Sequence, residues 1–268
     1  GCSGPTAEEN PPADPFAGDI PQPVSPNVDL AGGDEPDIVR FMNVQAAGSP
    51  SLSPDGSLVA FITRLTGNFQ SWVTATDRLT APVQITYGNA VTFHEWSPNG
   101  KEILYGTDKE GNEREGFYLI SPDGTSEREL LPPSDAFRYF GGFNSTGTKF
   151  SYSTTERNGT DFDIHIFDLE NNTDRYVYPG QLGYYPVSIS PSGAYILVSE
   201  TVGEDANNIY LLDSKDSTLS QLNPENSLSQ YSNFQWTSNE DGFYLTSNEG
   251  KEYMDAAYYS LKNGSMEW

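Results

Sequence analysis

Hydrolysis by a serine nucleophile needs a base, an orienting carboxylate and an exposed hydroxyl, which α/β-hydrolases carry in Gly-x-Ser-x-Gly. That motif does not occur in the 268 residues, and the chain has only two histidines, His94 and His165. Both fall in alternating strand patterns with no elbow serine beside them. They therefore read as packed or surface strand residues rather than general bases, and no catalytic residue is assigned. Two histidines and a single cysteine, Cys2, cannot assemble a structural zinc site. The acidic pairs Asp161-Phe162-Asp163 and Glu204-Asp205 offer calcium-type oxygens but lack the spacing of a dedicated loop. They read as hairpin turns, so neither a metal nor a cofactor is expected. The charged run Asp108-Lys109-Glu110-Gly111-Asn112-Glu113-Arg114-Glu115 reads as a solvated hairpin loop, with a peptide-gripping role as the alternative.

Composition limits the partners. Thirty-eight acidic against fourteen basic residues give a formal charge of −24, which repels a phosphate backbone and excludes nucleic acid as a partner. The charge reads as a solvated surface, or, if gathered on one face, as an acidic funnel for cationic peptides. No apolar run approaches the roughly 20 residues that span a bilayer. Plentiful Gly, Pro and Tyr favour many short strands and tight turns over amphipathic helices.

The amino-terminal Gly1-Cys2-Ser3-Gly4 resembles the lipobox of bacterial lipoproteins, in which cleavage leaves a cysteine that carries a lipid. On that resemblance Cys2 is the lipidation site, the only membrane attachment expected, and residues 1–35 form a flexible acidic, Pro-rich tether. The competing reading is a chance cysteine. The Asn-x-Ser/Thr sites at Asn144, Asn158, Asn171 and Asn263 then read as turns rather than glycan acceptors.

The elements that would position any site are written as a repeat. The turns are Ser53-Pro54-Asp55-Gly56, Ser97-Pro98-Asn99-Gly100, Asn144-Ser145-Thr146-Gly147, Ser190-Pro191-Ser192-Gly193 and a longer Thr237-Ser238-Asn239-Glu240-Asp241-Gly242. Their glycines are 44, 47, 46 and 49 residues apart, the period of a four-stranded propeller blade. An apolar residue precedes each turn: Leu52, Trp96, Phe143, Ile189 and Trp236. After the glycine comes alternation, as in Ile103/Tyr105, Phe150/Tyr152 and Ile196/Val198, with Tyr244 and Leu245 in a shifted fifth repeat. This predicts an all-β chain: a β-propeller of four-stranded blades over 36–268, with five repeats at about 49–88, 89–134, 135–180, 181–226 and 227–268, forming an incomplete or truncated ring.

The chain carries, in order, the run Val39-Arg40-Phe41-Met42-Asn43-Val44 leading to Ser53-Pro54-Asp55-Gly56, then Asp108-Lys109-Glu110-Gly111-Asn112-Glu113 before Phe117-Tyr118-Leu119, then Arg157-Asn158-Gly159-Thr160-Asp161-Phe162-Asp163. In this order the strings resemble the propeller of the prolyl oligopeptidase family of serine peptidases, in its dipeptidyl-peptidase and acylaminoacyl-peptidase-like branch. The turns alone are shared with TolB-like periplasmic propellers. The resemblance implies a propeller that gates and supports a separate α/β-hydrolase domain, which would follow it in a longer parent and hold the catalytic Ser, Asp and His. No position here matches those three. The chain is thus expected to be the non-catalytic, substrate-gating portion of an exported, periplasmic or cell-surface peptidase. The alternative is a freestanding TolB-like lipoprotein that binds a protein or peptide. A glycosidase would need carboxylates converging on the axis, and near the blade starts Glu95 is the one such residue.

Overall fold

In the computed structural model, residues 46–77 and 80–268 are described, within a compact unit spanning Gln45–Trp268. Cys2, the 1–35 segment and the Val39–Val44 run lie outside the described residues.

Twenty strands form five four-stranded antiparallel sheets, each a meander in chain order. The first comprises β1 (Ala47–Leu52), β2 (Leu58–Thr63), β3 (Gln70–Ala75) and β4 (Val83–Gln84). The second comprises β5 (Val91–Trp96), β6 (Ile103–Thr107), β7 (Gly116–Ile120) and β8 (Glu127–Leu131). The third comprises β9 (Arg138–Phe143), β10 (Lys149–Thr154), β11 (Asp163–Asp168) and β12 (Thr173–Tyr178). The fourth comprises β13 (Tyr184–Ile189), β14 (Tyr195–Thr201), β15 (Asn207–Asp213) and β16 (Thr218–Gln221). The fifth comprises β17 (Tyr231–Trp236), β18 (Gly242–Ser247), β19 (Asp255–Ser260) and β20 (Ser265–Glu267). The first strands of successive sheets approach one another, β1 on β5, β9 on β13 and β13 on β17, and so surround an axis. Among the described residues the first and fifth sheets do not pack on each other, so the ring is open.

Each junction between neighbouring sheets is an apolar core. Ala60, Ile62 and Val73 meet Trp96, Ile103 and Tyr105 at the first junction, and Leu104 and Phe117 meet Phe150 and Tyr152 at the second. Ile164 and Ile166 meet Ile196 and Val198 at the third, and Leu197 and Ile209 meet Phe243 and Leu245 at the fourth. The alternating pair in each second strand therefore faces the preceding blade. In the first sheet, where no described blade precedes it, the corresponding pair Val59 and Phe61 is only half-buried, and Leu52 is 62% exposed.

The turns that mark the repeat share one hydrogen-bond pattern. Ser53 N–H donates to Leu58 O at 2.9 Å and Gly56 N–H to Ser53 O at 2.8 Å, and the same pair of bonds recurs at Ser97, Asn144, Ser190 and Thr237. The fifth turn is not longer than the others. Glu240, with φ 58°, takes the left-handed place held elsewhere by Gly56, Gly100, Gly147 and Gly193, while Gly242 opens β18. Counted from Glu240, the last spacing is 240 − 193 = 47. The register shift expected in that repeat disappears with it: Phe243 and Leu245 face the core, and Tyr244 is exposed on the opposite side. A sixth turn of the same kind, Ser121-Pro122-Asp123-Gly124, joins β7 to β8, so the string marks a hairpin and its position marks the blade.

The turns also lean on one another around the axis. A Cβ on Gly100 would stand 3.6 Å from Pro54, Asn144 Nδ2 donates to Pro191 O at 3.3 Å, and Glu240 accepts hydrogen bonds from the Ser192 N–H and, at 2.9 Å, its hydroxyl.

Candidate functional site

The inner strands are irregular in the same way. In β1, β5, β9, β13 and β17 one extra residue interrupts the pairing with the second strand, for example Gly141 between the pairs Gly142↔Ser151 and Phe140↔Tyr152. Such bulges bend a strand and re-aim its side chains. Ser49, Gly142 and Asn233 within these strands have positive φ. At the third junction the close approach is specific: a Cβ on Gly141 would lie 2.6 Å from both Pro186 Cβ and Ser151 Oγ.

Two open cavities of about 390 and 400 Å³ lie along the axis and share Pro98 and Phe143 as walls. The first is lined by Glu95, Trp96, Tyr139, Phe140 and Val187, the second by Ile189, Phe234, Gln235 and Trp236. Trp96 Nε1 donates to Ser51 O of the preceding sheet at 3.0 Å, while Trp236 Nε1 is buried without a partner. A chain of rings, Tyr139–Tyr185 and Tyr185–Phe162, each at 5.0 Å, runs from the axis to the loop end. Burial, then the neighbouring Tyr185, pushes the Tyr139 phenol up.

That loop end also gathers exposed apolar side chains: Leu65, Phe69, Tyr87, Leu182, Leu228 and Tyr253 all lie in loops opposite the repeat turns. Acidity is not gathered there. Asp108, Glu115 and Asp161 sit at the loop end and Asp55, Asp123, Asp168 and Asp241 at the turn end, so the carboxylates do not form a funnel on one face.

The residues singled out from the sequence separate rather than converge. His94 is buried in β5. Its Nδ1 lies 2.9 Å from Ser71 Oγ and its Nε2 2.8 Å from Ser49 O. A carbonyl only accepts, so Nε2 carries the proton and Nδ1 accepts from the serine. Ser71 is fully buried, which closes this serine–histidine pair to any substrate. Desolvation holds the imidazole below its ordinary pKa, opposed by the bond to Ser49. His165 lies on the third sheet between Tyr152 and Tyr176, its Nδ1 2.9 Å from Asp174 Oδ2.

Asp163 is buried and held by Arg157 Nε at 2.8 Å and the Gly180 N–H at 3.0 Å, and Asp161 accepts from Asn158 Nδ2 at 2.7 Å. Their oxygens thus serve the turn. Asp108 likewise turns inward. It accepts from Gly111 N–H at 3.1 Å and Glu113 N–H at 2.8 Å, which holds the left-handed residues Glu110, Gly111 and Glu113 in place. Arg114 stacks over the Phe137 ring at 3.3 Å. Of the expected solvated hairpin, Glu110, Gly111, Asn112 and Glu113 are exposed, while the first carboxylate is structural. Among the described residues no second carboxylate joins Glu95 on the inner strands, so the pair a glycosidase needs is not built there.

Sheet packing around an axis decides the architecture. The chain is a β-propeller. No protein-family profile and no curated protein matches the sequence. Solved structures do. An oligogalacturonate lyase from Vibrio parahaemolyticus superposes with a TM-score of 0.65 at 13% identity, over 81% of this chain and 63% of that one. TolB from Acinetobacter baumannii gives 0.54 at 14%, over 83% and 53%. The acylaminoacyl peptidase of Pyrococcus horikoshii gives 0.55 at 16%, over 82% and 38%. At these identities the likeness is one of fold, and the propeller spans 63% of the length of the lyase.

Proposed function

We propose that this propeller is the non-catalytic, substrate-gating and scaffolding portion of an exported serine peptidase of the prolyl oligopeptidase family, lipid-anchored through Cys2. The observation that carries the reading is the axial groove: two adjoining aromatic-lined cavities of about 390 and 400 Å³ that share Pro98 and Phe143, a concave apolar surface of the kind that takes an extended peptide. Propellers of acylaminoacyl peptidase type are among the solved structures of this fold, and the family-like strings are in the family's order. The sealed Ser71–His94 pair is consistent with proteolysis belonging to an α/β-hydrolase domain of a longer parent.

The propeller is expected to bind unstructured peptides, measured by fluorescence anisotropy, and to leave chromogenic dipeptide and acyl-amino-acid substrates uncleaved. Cleavage blocked by a serine-directed reagent, or no peptide binding, overturns the proposal. A second reading, a freestanding TolB-like module that grips a protein partner in the periplasm, draws on the match to TolB and on the exposed apolar loops. Capture of a folded partner by the loop end, with peptides ignored, favours it.

A further inference from the structure

One carboxylate on the axis is left without a partner. Glu95 of β5 makes no hydrogen bond and no ion pair among the described residues, whereas the half-buried Glu200 and Glu249 are engaged by Tyr210 and Tyr231. Glu95 is exposed toward the groove, yet protein crowds it enough that desolvation raises its carboxyl above the ordinary range. The walls around it are Trp96, Tyr139, Phe140, Phe143 and Val187, with no lysine or arginine among them. The inner-strand cation of the neighbouring sheet, Arg138, is buried and committed to Glu156, Glu115 O and Pro132 O.

A charge set among apolar and aromatic surfaces without a counter-charge is unfavourable, and it favours a ligand that brings one. An anion, a phosphate or a uronate alike, would meet Glu95 and the field of a chain at −24. The ligand must therefore be cationic, with an apolar stem for the walls. We infer that the axial cavity at Glu95 receives a lysine side chain of a bound peptide, its ammonium on the Glu95 carboxylate and its aliphatic stem along Phe140 and Val187. The Tyr139 ring, 45% exposed, is an aromatic wall of the same cavity, a further attraction for a cation. This rests on the peptide-binding reading above and adds the selectivity of the groove.

The test uses the whole chain and three acetylated, amidated peptides that differ at one central residue: lysine, norleucine or Nε-acetyl-lysine. The lysine peptide is expected to bind about tenfold more tightly than the other two, and Glu95→Gln to bring that ratio below about threefold. Unchanged thermal unfolding of Glu95→Gln assures that the fold persists. Equal binding of all three peptides, or a lysine preference that survives Glu95→Gln, overturns the inference and leaves peptide binding standing. Binding of none overturns both.

Discussion

Replacing His94 by alanine removes the one side chain that ties the second blade's inner strand to both β1 and β3 of the first. Two hydrogen bonds are lost, from His94 Nε2 to Ser49 O and from Ser71 Oγ to His94 Nδ1. At about 1 kcal/mol each, with the Ser71 hydroxyl left unpaired and an imidazole-sized void added, the expected loss is about 2–4 kcal/mol. Urea unfolding at pH 7.5 reads it directly. The same residue predicts a pH dependence. Desolvation lowers the folded pKa of His94 below 6.5, so the unfolded chain binds the proton more readily. Stability is therefore full above pH 6.5 and declines as pH falls toward the folded value, with a slope of at most about 1.4 kcal/mol per pH unit. His94→Gln should flatten the curve between pH 7.5 and 5.5, and His165→Gln serves as the control for the other histidine. Parallel pH curves for wild type and His94→Gln, or a loss under about 1 kcal/mol for His94→Ala, would refute a neutral, doubly bonded imidazole.

Phe117 is fully buried with Phe93 at 5.3 Å and Tyr152 at 6.0 Å, so Phe117→Ala should cost about 3–5 kcal/mol in the same unfolding assay. A Cβ at Gly180 would overlap the Phe162 carbonyl, and Gly180→Ala is expected to destabilise by more than about 3 kcal/mol. Gly159, at φ 78° in open space, should lose only about 1 kcal/mol on the same change. Hydrogen bonds from Ser53 and Ser57 bring the Asp55 carboxyl to about 2, and those from Ser121 and Thr125 do the same for Asp123. Carboxyl chemical shifts should therefore titrate with midpoints about 2, and the stabilisation these turns give, complete above 3.8, should fade only as pH falls through that range.

Much of the blade architecture is legible in the sequence because the turn chemistry is local. A residue that tolerates φ > 0 after Pro-Asp or Pro-Asn, and an apolar residue before it, place the first hairpin of a blade. The same locality misleads where a neighbour decides. Glu240 holds a left-handed conformation that its residue type disfavours while its carboxylate bonds the Ser192 turn of the preceding blade, a contact 48 residues away in sequence that no local pattern announces. Ser121-Pro122-Asp123-Gly124 carries the full turn string yet closes an outer hairpin. On the axis, alternation fails for a physical reason: each inner strand holds one residue more than its partner, so parity counted from the turn is wrong beyond the bulge. Glu95 was visible as an isolated carboxylate near a blade start. That its surroundings are aromatic follows from β9 and β13, whose approach depends on Gly141 lying against Pro186.

The extra residue in each inner strand also divides the labour of inheritance. A regular strand ties its exposed face to the face that packs, since a shift of one residue exchanges the two. With the pairing interrupted, the exposed Glu95, Tyr139 or Gln235 can change by substitution while Phe150, Ile196 and Phe243 keep their places between blades. The exposed part of the axial lining is thus free to drift toward new ligands, while Trp96, Phe140 and Trp236 stay fixed by the cores they also serve.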